Sequence, residues 1–224
     1  MLYIVPTPLG NLEDITRRAV TILGSASAVY SEDTRRTRKL LTHLGISTPI
    51  LRYKDRDDRL VDAILARVAA GEDIALASDA GMPVISDPGI TLVGAARAAG
   101  LPVTVLPGAC AVPAAVAGSG LPGDAFVFLG FLPRTPGKQK RSLAAAAALG
   151  KTMVVYESPF RVRKLFQNAL EALGAEAQAA FCRELSKLHE EWRCGTIGSL
   201  LETMPDSPPP KGEFVVLFHP EPRP

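Results

Sequence analysis

Three loops rich in small and turn-forming residues follow predicted strands in the first half of the chain. They cover residues 6–11 (Pro-Thr-Pro-Leu-Gly-Asn), 78–89 (Ser-Asp-Ala-Gly-Met-Pro-Val-Ile-Ser-Asp-Pro-Gly) and 107–111 (Pro-Gly-Ala-Cys-Ala). In open α/β sheets, ligands bind beyond the carboxyl ends of the strands, because loops and helix N-termini converge there. We therefore expect a ligand site at these loops, although each loop taken alone could be an ordinary turn. The small residues would also serve close packing of a helix on a strand.

Two carboxylates in the second loop have different predicted roles. Asp79 directly follows a predicted strand, where its carboxylate can accept hydrogen bonds from an amine or hydroxyl of a ligand. Asp87 stands in front of a proline and is predicted to cap the next helix. In the first loop, Gly10 lets the backbone approach a ligand closely, but the dinucleotide fingerprint GxGxxG is not present there. Asp79 is therefore the side chain that we expect to contact a ligand.

Clusters of basic residues are the second chemical signal. Four cations fall within residues 35–39, and further clusters occupy residues 134–141 and 161–164. The net charge of +2 at pH 7 is too small to predict a nucleic-acid partner by itself, but local clusters can bind phosphates. Each cluster could equally be a solvated surface. In the second half, the charged segments 157–161 and 183–187 follow predicted strands, and they could face the first domain or form a solvated rim.

Composition argues against several classes of protein. The chain has 224 residues, of which 47% are hydrophobic, and no apolar run reaches the roughly 20 residues of a membrane span. The apolar start lacks the basic region of a signal peptide. Three cysteines without a CxxC pair and three scattered histidines favour neither a disulfide framework nor a zinc site. We expect a cytoplasmic, metal-free protein.

Short apolar runs alternate with longer amphipathic ones, which predicts a mostly parallel sheet covered by helices. Strands are predicted over residues 2–5, 28–31, 74–78 and 103–106, and then near 125–129, 152–156, 177–182 and 214–218. Helical spacing is found over residues 15–23, 34–44, 59–70, 92–99, 140–148, 162–173 and 197–203. A segment with three glycines and a proline interrupts the pattern and is typical of a linker. We therefore predict an N-terminal domain over residues 1–117, a linker over 118–124 and a C-terminal domain over 125–224. Pro208–Pro210 is predicted to be a stiff spacer before the final strand.

Several of these segments resemble one known family. The loop at residues 78–89 is similar to the twelve-residue signature of the bacterial small-subunit rRNA 2′-O-ribose methyltransferases, a branch of the tetrapyrrole-methylase superfamily. Further similar segments are residues 3–12, 32–38, 130–134, 156–159 and 183–191. Together they run in order along most of the chain, and this combination is specific where no single motif would be. The chain departs from the family at Pro6, Met82, Phe160 and Ser186, where Ala, Thr, His and Thr are usual. Phe160 puts in doubt a catalytic role for a histidine at that position.

The resemblance implies a fold, a cofactor and a substrate. The fold is two-domain α/β, each domain a mixed or parallel sheet flanked by helices, with S-adenosylmethionine (SAM) in the cleft between the domains and no metal. The implied substrate is a cytidine ribose in the decoding region of small-subunit (16S) rRNA, free or in the 30S particle. The implied assembly is a homodimer, and neither DNA nor a membrane is an expected partner. The implied cofactor contacts are Leu9, Gly10, Asp79, Gly81, Met82, Cys110, Ala111 and Pro159.

Candidate substrate-binding and catalytic residues carry charge. Guanidinium groups match phosphate oxygens, so the arginines expected to contact RNA are Arg35, Arg36, Arg38, Arg161 and Arg183. A ribose 2′-hydroxyl is a poor nucleophile at neutral pH, so a general base or a field that favours the alkoxide would help. Lys187 and Glu184 are the candidates for the base. Lys187 could act if burial kept it neutral; if it is charged, it would stabilise the alkoxide or hold a phosphate.

Two other functions stay open at this point. A tetrapyrrole or other small-molecule SAM-dependent methylase of the same fold would share the cofactor loops but would not need the arginine-rich helix. An RNA-binding module without catalysis would not need the loop at Asp79. Separate measurements of SAM binding and RNA binding distinguish the three possibilities.

Overall fold

The computed structural model describes residues 1–205 and 211–221. Contacts within the chain divide it into two compact units, Met1–Cys110 and Ala111–Pro224. The predicted spacer Pro208–Pro210 lies outside the described residues. Within the described parts of the chain, no helix is long and apolar enough to cross a membrane.

The first unit is a five-stranded parallel sheet with helices between its strands. The strand order is β3-β2-β4-β1-β5, and every pair of neighbours is parallel. A short 3-10 helix, Leu12–Asp14, follows β1. The strands and α-helices in chain order are β1 (Leu2–Val5), α1 (Arg17–Ser25), β2 (Ala28–Ser31), α2 (Thr34–His43), β3 (Ile50–Arg52), α3 (Asp58–Ala69), β4 (Ile74–Ala77), α4 (Ile90–Ala98) and β5 (Val103–Val105).

Both faces of this sheet are covered, as its central strands require. Every residue of β2 and β4 is buried, which is typical of a parallel strand packed between two layers of helices. Alternate residues along a strand point to opposite faces. Leu2 and Ile4 accordingly belong to one core cluster, while Val5 belongs to the other.

The strand order decides where the candidate loops lie. The loops at residues 6–11, 78–89 and 107–111 follow β1, β4 and β5, and these three strands are neighbours in the sheet. Because the strands are parallel, their carboxyl ends meet at the same edge. The predicted convergence of the three loops is therefore confirmed.

The second unit is a mixed sheet in the order β6-β7-β10-β8-β9. β6 and β7 are parallel, and the other neighbours are antiparallel. One hydrophobic core, with Phe166, Phe181 and Phe218 among its members, lies between this sheet and its helices. The elements are α5 (Ala111–Ser119), β6 (Phe126–Phe131), α6 (Pro136–Ala147), β7 (Thr152–Glu157), α7 (Val162–Leu173), β8 (Gln178–Arg183), β9 (Glu191–Thr196), α8 (Ile197–Thr203) and β10 (Phe214–His219).

The start of the second unit differs from the predicted domain boundary near residue 118. Residues 111–119 form α5, which packs on β8 and β10 and so belongs with the second sheet. The predicted linker 118–124 therefore begins inside a helix. Gly118 is a packing residue there, because a Cβ atom at this position would lie 2.6 Å from the Trp192 ring. Two strands, β3 and β9, were not predicted at all.

Candidate active site

Two of the candidate loops are joined directly by backbone hydrogen bonds. The Thr7 amide donates to the Gly81 carbonyl and the Gly81 amide donates to the Thr7 carbonyl, each at 2.9 Å. The Thr7 hydroxyl donates to the Ser78 carbonyl at 3.0 Å, and the Ser78 hydroxyl donates to the Gly81 carbonyl at 2.5 Å. Thr7, Ser78 and Gly81 are all buried, so these bonds hold the loop after β1 and the loop after β4 in one rigid arrangement.

Glycines let the three loops approach one another closely. Gly81 has φ of 80°, and a Cβ atom there would lie 3.0 Å from Leu9 and 3.7 Å from the Ala109 carbonyl oxygen. A Cβ atom on Gly108 would collide with the Pro6 ring. The structure thus brings Leu9 and Gly81 together beside Ala109. The glycines thus serve close packing between the loops, which holds the loop after β1 against the loops after β4 and β5.

Asp79 lies two residues beyond the end of β4, because the strand ends one residue earlier than predicted, and it holds the start of α2. Its Oδ1 atom accepts from the Asp33 amide at 3.2 Å, and its Oδ2 atom lies 3.9 Å from Nε of Arg36. The side chain is 23% exposed. A carboxylate has about four acceptor positions, so Asp79 can take a further donor from a ligand while it keeps its contact with α2.

Asp87 does not cap the next helix, so that prediction is wrong. The N-cap of α4 is Gly89, with φ of 132° and no side-chain capping bond. The loop contains two more left-handed residues, Val84 and Ser86, and these turns delay the helix until Ile90. The Gly89 amide donates instead to Asp55, which comes from a different loop, at 3.0 Å.

Helix α2 presents its cations outward. Leu40 and Leu41 are buried, and all four cations of residues 35–39 are exposed. Asp33 caps the helix and accepts from Nε and Nη2 of Arg35 at 3.0 and 2.9 Å. The hydrogen bond from the Arg35 side chain lowers the pKa of Asp33 to about 2, so this acid stays charged and offsets part of the field of Arg35.

In the second unit, Lys187 lies between two carboxylates. Its ammonium group donates to Oε1 of Glu184 at 2.9 Å and to Oε2 of Glu213 at 2.8 Å. Burial acts to lower the pKa of Lys187, but the hydrogen bonds to Glu213 and Glu184 outweigh it and the pKa is raised. A raised lysine pKa stabilises the folded state. This stabilisation is fully present below the ordinary lysine pKa and is lost as the pH rises through the raised pKa of the folded protein. Lys187 is therefore an ammonium at neutral pH, which disfavours its role as a neutral base.

Glu184 is held as a carboxylate. Burial acts to raise its pKa, but hydrogen bonds from Lys187 and from the Glu213 amide reverse that effect and lower it. Glu184 adopts a left-handed φ of 55°. Its side chain packs against Gly212, since a Cβ atom added to that glycine would lie 2.6 Å from Cγ of Glu184. A lowered pKa makes Glu184 a weak base, so the structure fits it better as the partner that positions Lys187.

The arginine predicted at position 161 is engaged within the fold. Its Nη2 atom donates to the Leu132 carbonyl at 3.0 Å and lies 3.1 Å from Oε2 of Glu157. Glu157 was not singled out from the sequence, although it ends β7 and is 3% exposed. Its burial raises the pKa of this carboxyl group, and the charge of Arg161 opposes that shift. Arg161 thus stabilises a buried acid.

Arg183 belongs to a network with two residues of β9. Its Nε atom donates to Oε2 of Glu191 at 2.9 Å, and Nε of Arg193 donates to Oε1 of the same carboxylate at 2.8 Å. Nη1 of Arg183 also donates to the Lys211 carbonyl at 3.0 Å. Glu191 and Arg193 were not predicted as site residues, because their strand was missed.

The described residues 1–205 and 211–221 contain no group of three or more His, Cys, Asp or Glu side chains that could hold a metal ion. Of the remaining predicted cofactor contacts, Gly10, Met82 and Cys110 lie in the three loops of the first unit, and Ala111 and Pro159 lie in the second unit. Cofactor binding by these residues stays a prediction.

Comparison with known proteins gives a consistent set of matches. The sequence profile of the tetrapyrrole (corrin/porphyrin) methylases matches residues 1–201. The ribosomal RNA small subunit methyltransferase I of Vibrio cholerae is 43% identical over 98% of this chain and 77% of its own length. The protein of the same name from Coprothermobacter proteolyticus is 44% identical over 98% of each chain.

A solved structure shares the fold. Uroporphyrin-III C-methyl transferase from Thermus thermophilus, in complex with S-adenyl homocysteine, matches with a TM-score of 0.65 and 20% identity over 96% of each chain. At this identity the likeness concerns the fold alone. The predicted α/β class with two sheets is confirmed.

Proposed function

We propose a function from one premise: this chain belongs to the tetrapyrrole methylase family and, within it, to the family of ribosomal RNA small subunit methyltransferase I. The proposed reaction is transfer of the methyl group of SAM to the 2′-hydroxyl of a cytidine in the decoding region of small-subunit rRNA. The observation that carries this proposal is identity above 40% along almost the whole chain with relatives named for methylation of that RNA.

The proposed SAM site is formed by the loops after β1, β4 and β5. The Cβ positions of Gly81 and Gly108 are taken by Leu9 and Pro6 of the first loop, so these glycines let the loops pack directly on one another, and Asp79 adds a carboxylate with acceptor capacity to spare. We propose contacts from Leu9, Gly10, Asp79, Gly81, Met82 and Cys110, and, on the family resemblance, from Ala111 and Pro159 of the second unit. S-adenyl homocysteine in the Thermus structure supports the choice of cofactor.

The chain's own residues must then align the ribose and favour its alkoxide, and the hydroxyl proton passes to solvent water. SAM, when bound, supplies a methyl group on a positively charged sulfur, which is a good leaving group and calls for no metal. The protein must hold the ribose hydroxyl close to the methyl group and correctly oriented. Such proximity of the reacting groups lowers the barrier to methyl transfer. We propose that Lys187 acts as an ammonium that stabilises developing negative charge or holds a phosphate. Glu184 and Glu213 would position it.

The proposed RNA surface is the exposed side of α2. Arg36, Arg38 and Lys39 would contact phosphates, and Arg35 would contribute less because Asp33 already pairs with it. Such contacts position RNA without reading its bases. We also propose that the protein acts as a homodimer in the cytoplasm, on 16S rRNA or on the 30S particle.

The experiment is methyl transfer in vitro. Purified chain, SAM with a labelled methyl group and small ribosomal subunits that lack the modification should give labelled rRNA, with the label on a ribose after digestion to nucleosides. DNA of the same sequence should accept no label, because it has no 2′-hydroxyl. Transfer to a tetrapyrrole without transfer to RNA would favour the small-molecule methylase.

A further inference from the structure

A cavity of about 130 Å³ lies at one end of the second sheet, beside α7. Its apolar lining comes from both the sheet and the helix, with Phe181, Phe214, Val162 and Met204 among the contributors. Phe181, Phe214 and Val162 are 3–4% exposed. The position of this apolar surface is therefore fixed by the core of the unit.

One wall of this cavity is charged, and the strand register explains why. Arg183 pairs with Glu191 and Phe181 pairs with Arg193 across β8 and β9. Residues directly opposite in an antiparallel pair share a face, so the two arginines flank the phenylalanine. Both donate to the Glu191 carboxylate at 2.8–2.9 Å. Arg163 also lines the cavity, and its Nη1 atom donates to the carbonyls of Leu201 and Met204 at 3.1 and 2.6 Å.

The mouth of the cavity carries an exposed aromatic ring. Phe160 lines the cavity and is 81% exposed, an unusual position for a side chain that gains free energy by burial. The backbone around it is held by the Ser158 carbonyl, which accepts from the amides of Arg161 and Val162 at 3.0 and 3.1 Å. The ring is thus presented on a fixed turn.

We propose that this cavity holds one unstacked pyrimidine base of the RNA, with the base stacked on Phe160. Aromatic rings stack on bases that leave the helical stack, and this is a common way to bind single-stranded RNA. The ligand class rests on the proposed function. Three features of the cavity support a base as its ligand. It has an apolar surface, an aromatic ring at its mouth, and a charged wall with hydrogen-bond donors and an acceptor.

The charged wall suits the edge of a cytosine. The Glu191 carboxylate can accept from an exocyclic amine, and the guanidinium groups of Arg183 and Arg193 can donate to the ring acceptors. An apolar protein segment would exclude water from these charged groups and offer them no hydrogen bonds, which argues against such an occupant.

The test compares Phe160→Ala and Phe160→Trp for binding of fluorescein-labelled oligocytidine, measured by fluorescence anisotropy. Loss of one stacking contact should weaken binding by about five- to 150-fold, and tryptophan should retain it. The slope of log affinity against log salt should not change for either variant, because no phosphate contact is lost. Phe126→Ala is the matched control, since Phe126 is also an exposed phenylalanine of this unit but does not line the cavity.

A second variant and a second assay make the outcome decisive. Arg193→Gln should weaken the same binding, while Lys151→Gln, an exposed cation elsewhere in the unit, should affect it less. With small ribosomal subunits as substrate, Phe160→Ala should raise KM and leave kcat within about twofold. Melting temperatures of the variants should match that of the wild type.

Failure of this inference and failure of the proposed function give different results. If the wild type methylates subunits while Phe160→Ala and Arg193→Gln match it in oligocytidine affinity and in KM, the inference is overturned and the proposed function stands. If the wild type transfers no methyl group to RNA, the proposed function fails and the inference falls with it.

Discussion

Replacement of Asp79 by alanine should weaken SAM binding by about ten- to 150-fold. The reason is loss of a charge-assisted hydrogen bond to the cofactor, worth about 1.5–3 kcal/mol, and each factor of ten in affinity corresponds to about 1.4 kcal/mol. The measurement is isothermal titration calorimetry with SAM. Asp62→Ala, which removes an exposed acid of α3, is the control and should bind SAM like the wild type.

The contacts of Asp79 within the protein require a second variant. Oδ1 accepts from the Asp33 amide at 3.2 Å, and loss of that bond should cost about 1 kcal/mol of stability. The contact with Arg36, at 3.9 Å and largely exposed, should contribute less than about 1 kcal/mol. Asp79→Asn keeps an oxygen for Asp33 but loses the charge. Because charge-assisted bonds are about twice as strong as neutral ones, this variant should lose roughly half the free energy that alanine loses.

If Asp79→Ala binds SAM with wild-type affinity and its melting temperature shows that it is folded, the carboxylate does not contact the cofactor. The proposed site at the ends of β1, β4 and β5 would then lose its polar anchor.

Three further predictions concern other parts of the chain. The rate of methyl transfer should stay flat between about pH 7 and 9, since the pKa of Lys187 is raised from its ordinary value. A rise in rate with a midpoint in that range would instead indicate that Lys187 acts as a neutral base. Arg38→Ala should reduce the slope of log RNA affinity against log salt by roughly 0.7, and Arg35→Ala should reduce it by less, because Asp33 already pairs with Arg35. Slopes equal to that of the wild type would show that α2 is a solvated surface. Gly89→Ala should destabilise the fold by at least about 2 kcal/mol in calorimetry, because φ at Gly89 is 132° and a Cβ atom there would lie 2.6 Å from Leu76. Gly94→Ala is the control. A Cβ atom at Gly94 has open space, so this variant should be neutral or stabilising.

Local patterns predicted much of the architecture. The strands Leu2–Val5 and Ala28–Ser31 and the helices Val162–Leu173 and Ile197–Thr203 have the predicted bounds, because apolar periodicity and turn residues are local signals. The convergence of the three loops also followed from the sequence. It required strands joined by helices to be parallel and also β1, β4 and β5 to be neighbours, and that strand order was not predicted.

Long-range partners were not visible in the sequence. The strand β9 (Glu191–Thr196) carries charged residues that looked like a loop, yet it pairs with β8 and supplies half of an ion-pair network. Arg161 looked like a free cation, and only the fold shows that it is bound to Glu157. Lys187 could have been neutral or charged until its two carboxylate partners were located.

The backbone conformation of the loop at residues 78–89 also could not be predicted from the sequence. The Asp-Pro pair resembles a helix start, but left-handed conformations at Val84, Ser86 and Gly89 change the direction of the chain before the helix begins. Residues without glycine's freedom rarely adopt such angles. Nothing in the residue types of Val84 or Ser86 predicts them.

The central claim is that this chain places one methyl group on the ribose of a cytidine in small-subunit rRNA. Mass spectrometry of that RNA, from cells with the gene, without it, and with the Asp79→Ala form in its place, tests the claim most directly. We expect one cytidine in the decoding region to carry a ribose methyl group with the intact gene, to lack it without the gene, and to carry it at reduced level with the variant. Identical RNA from cells with and without the gene would contradict the claim.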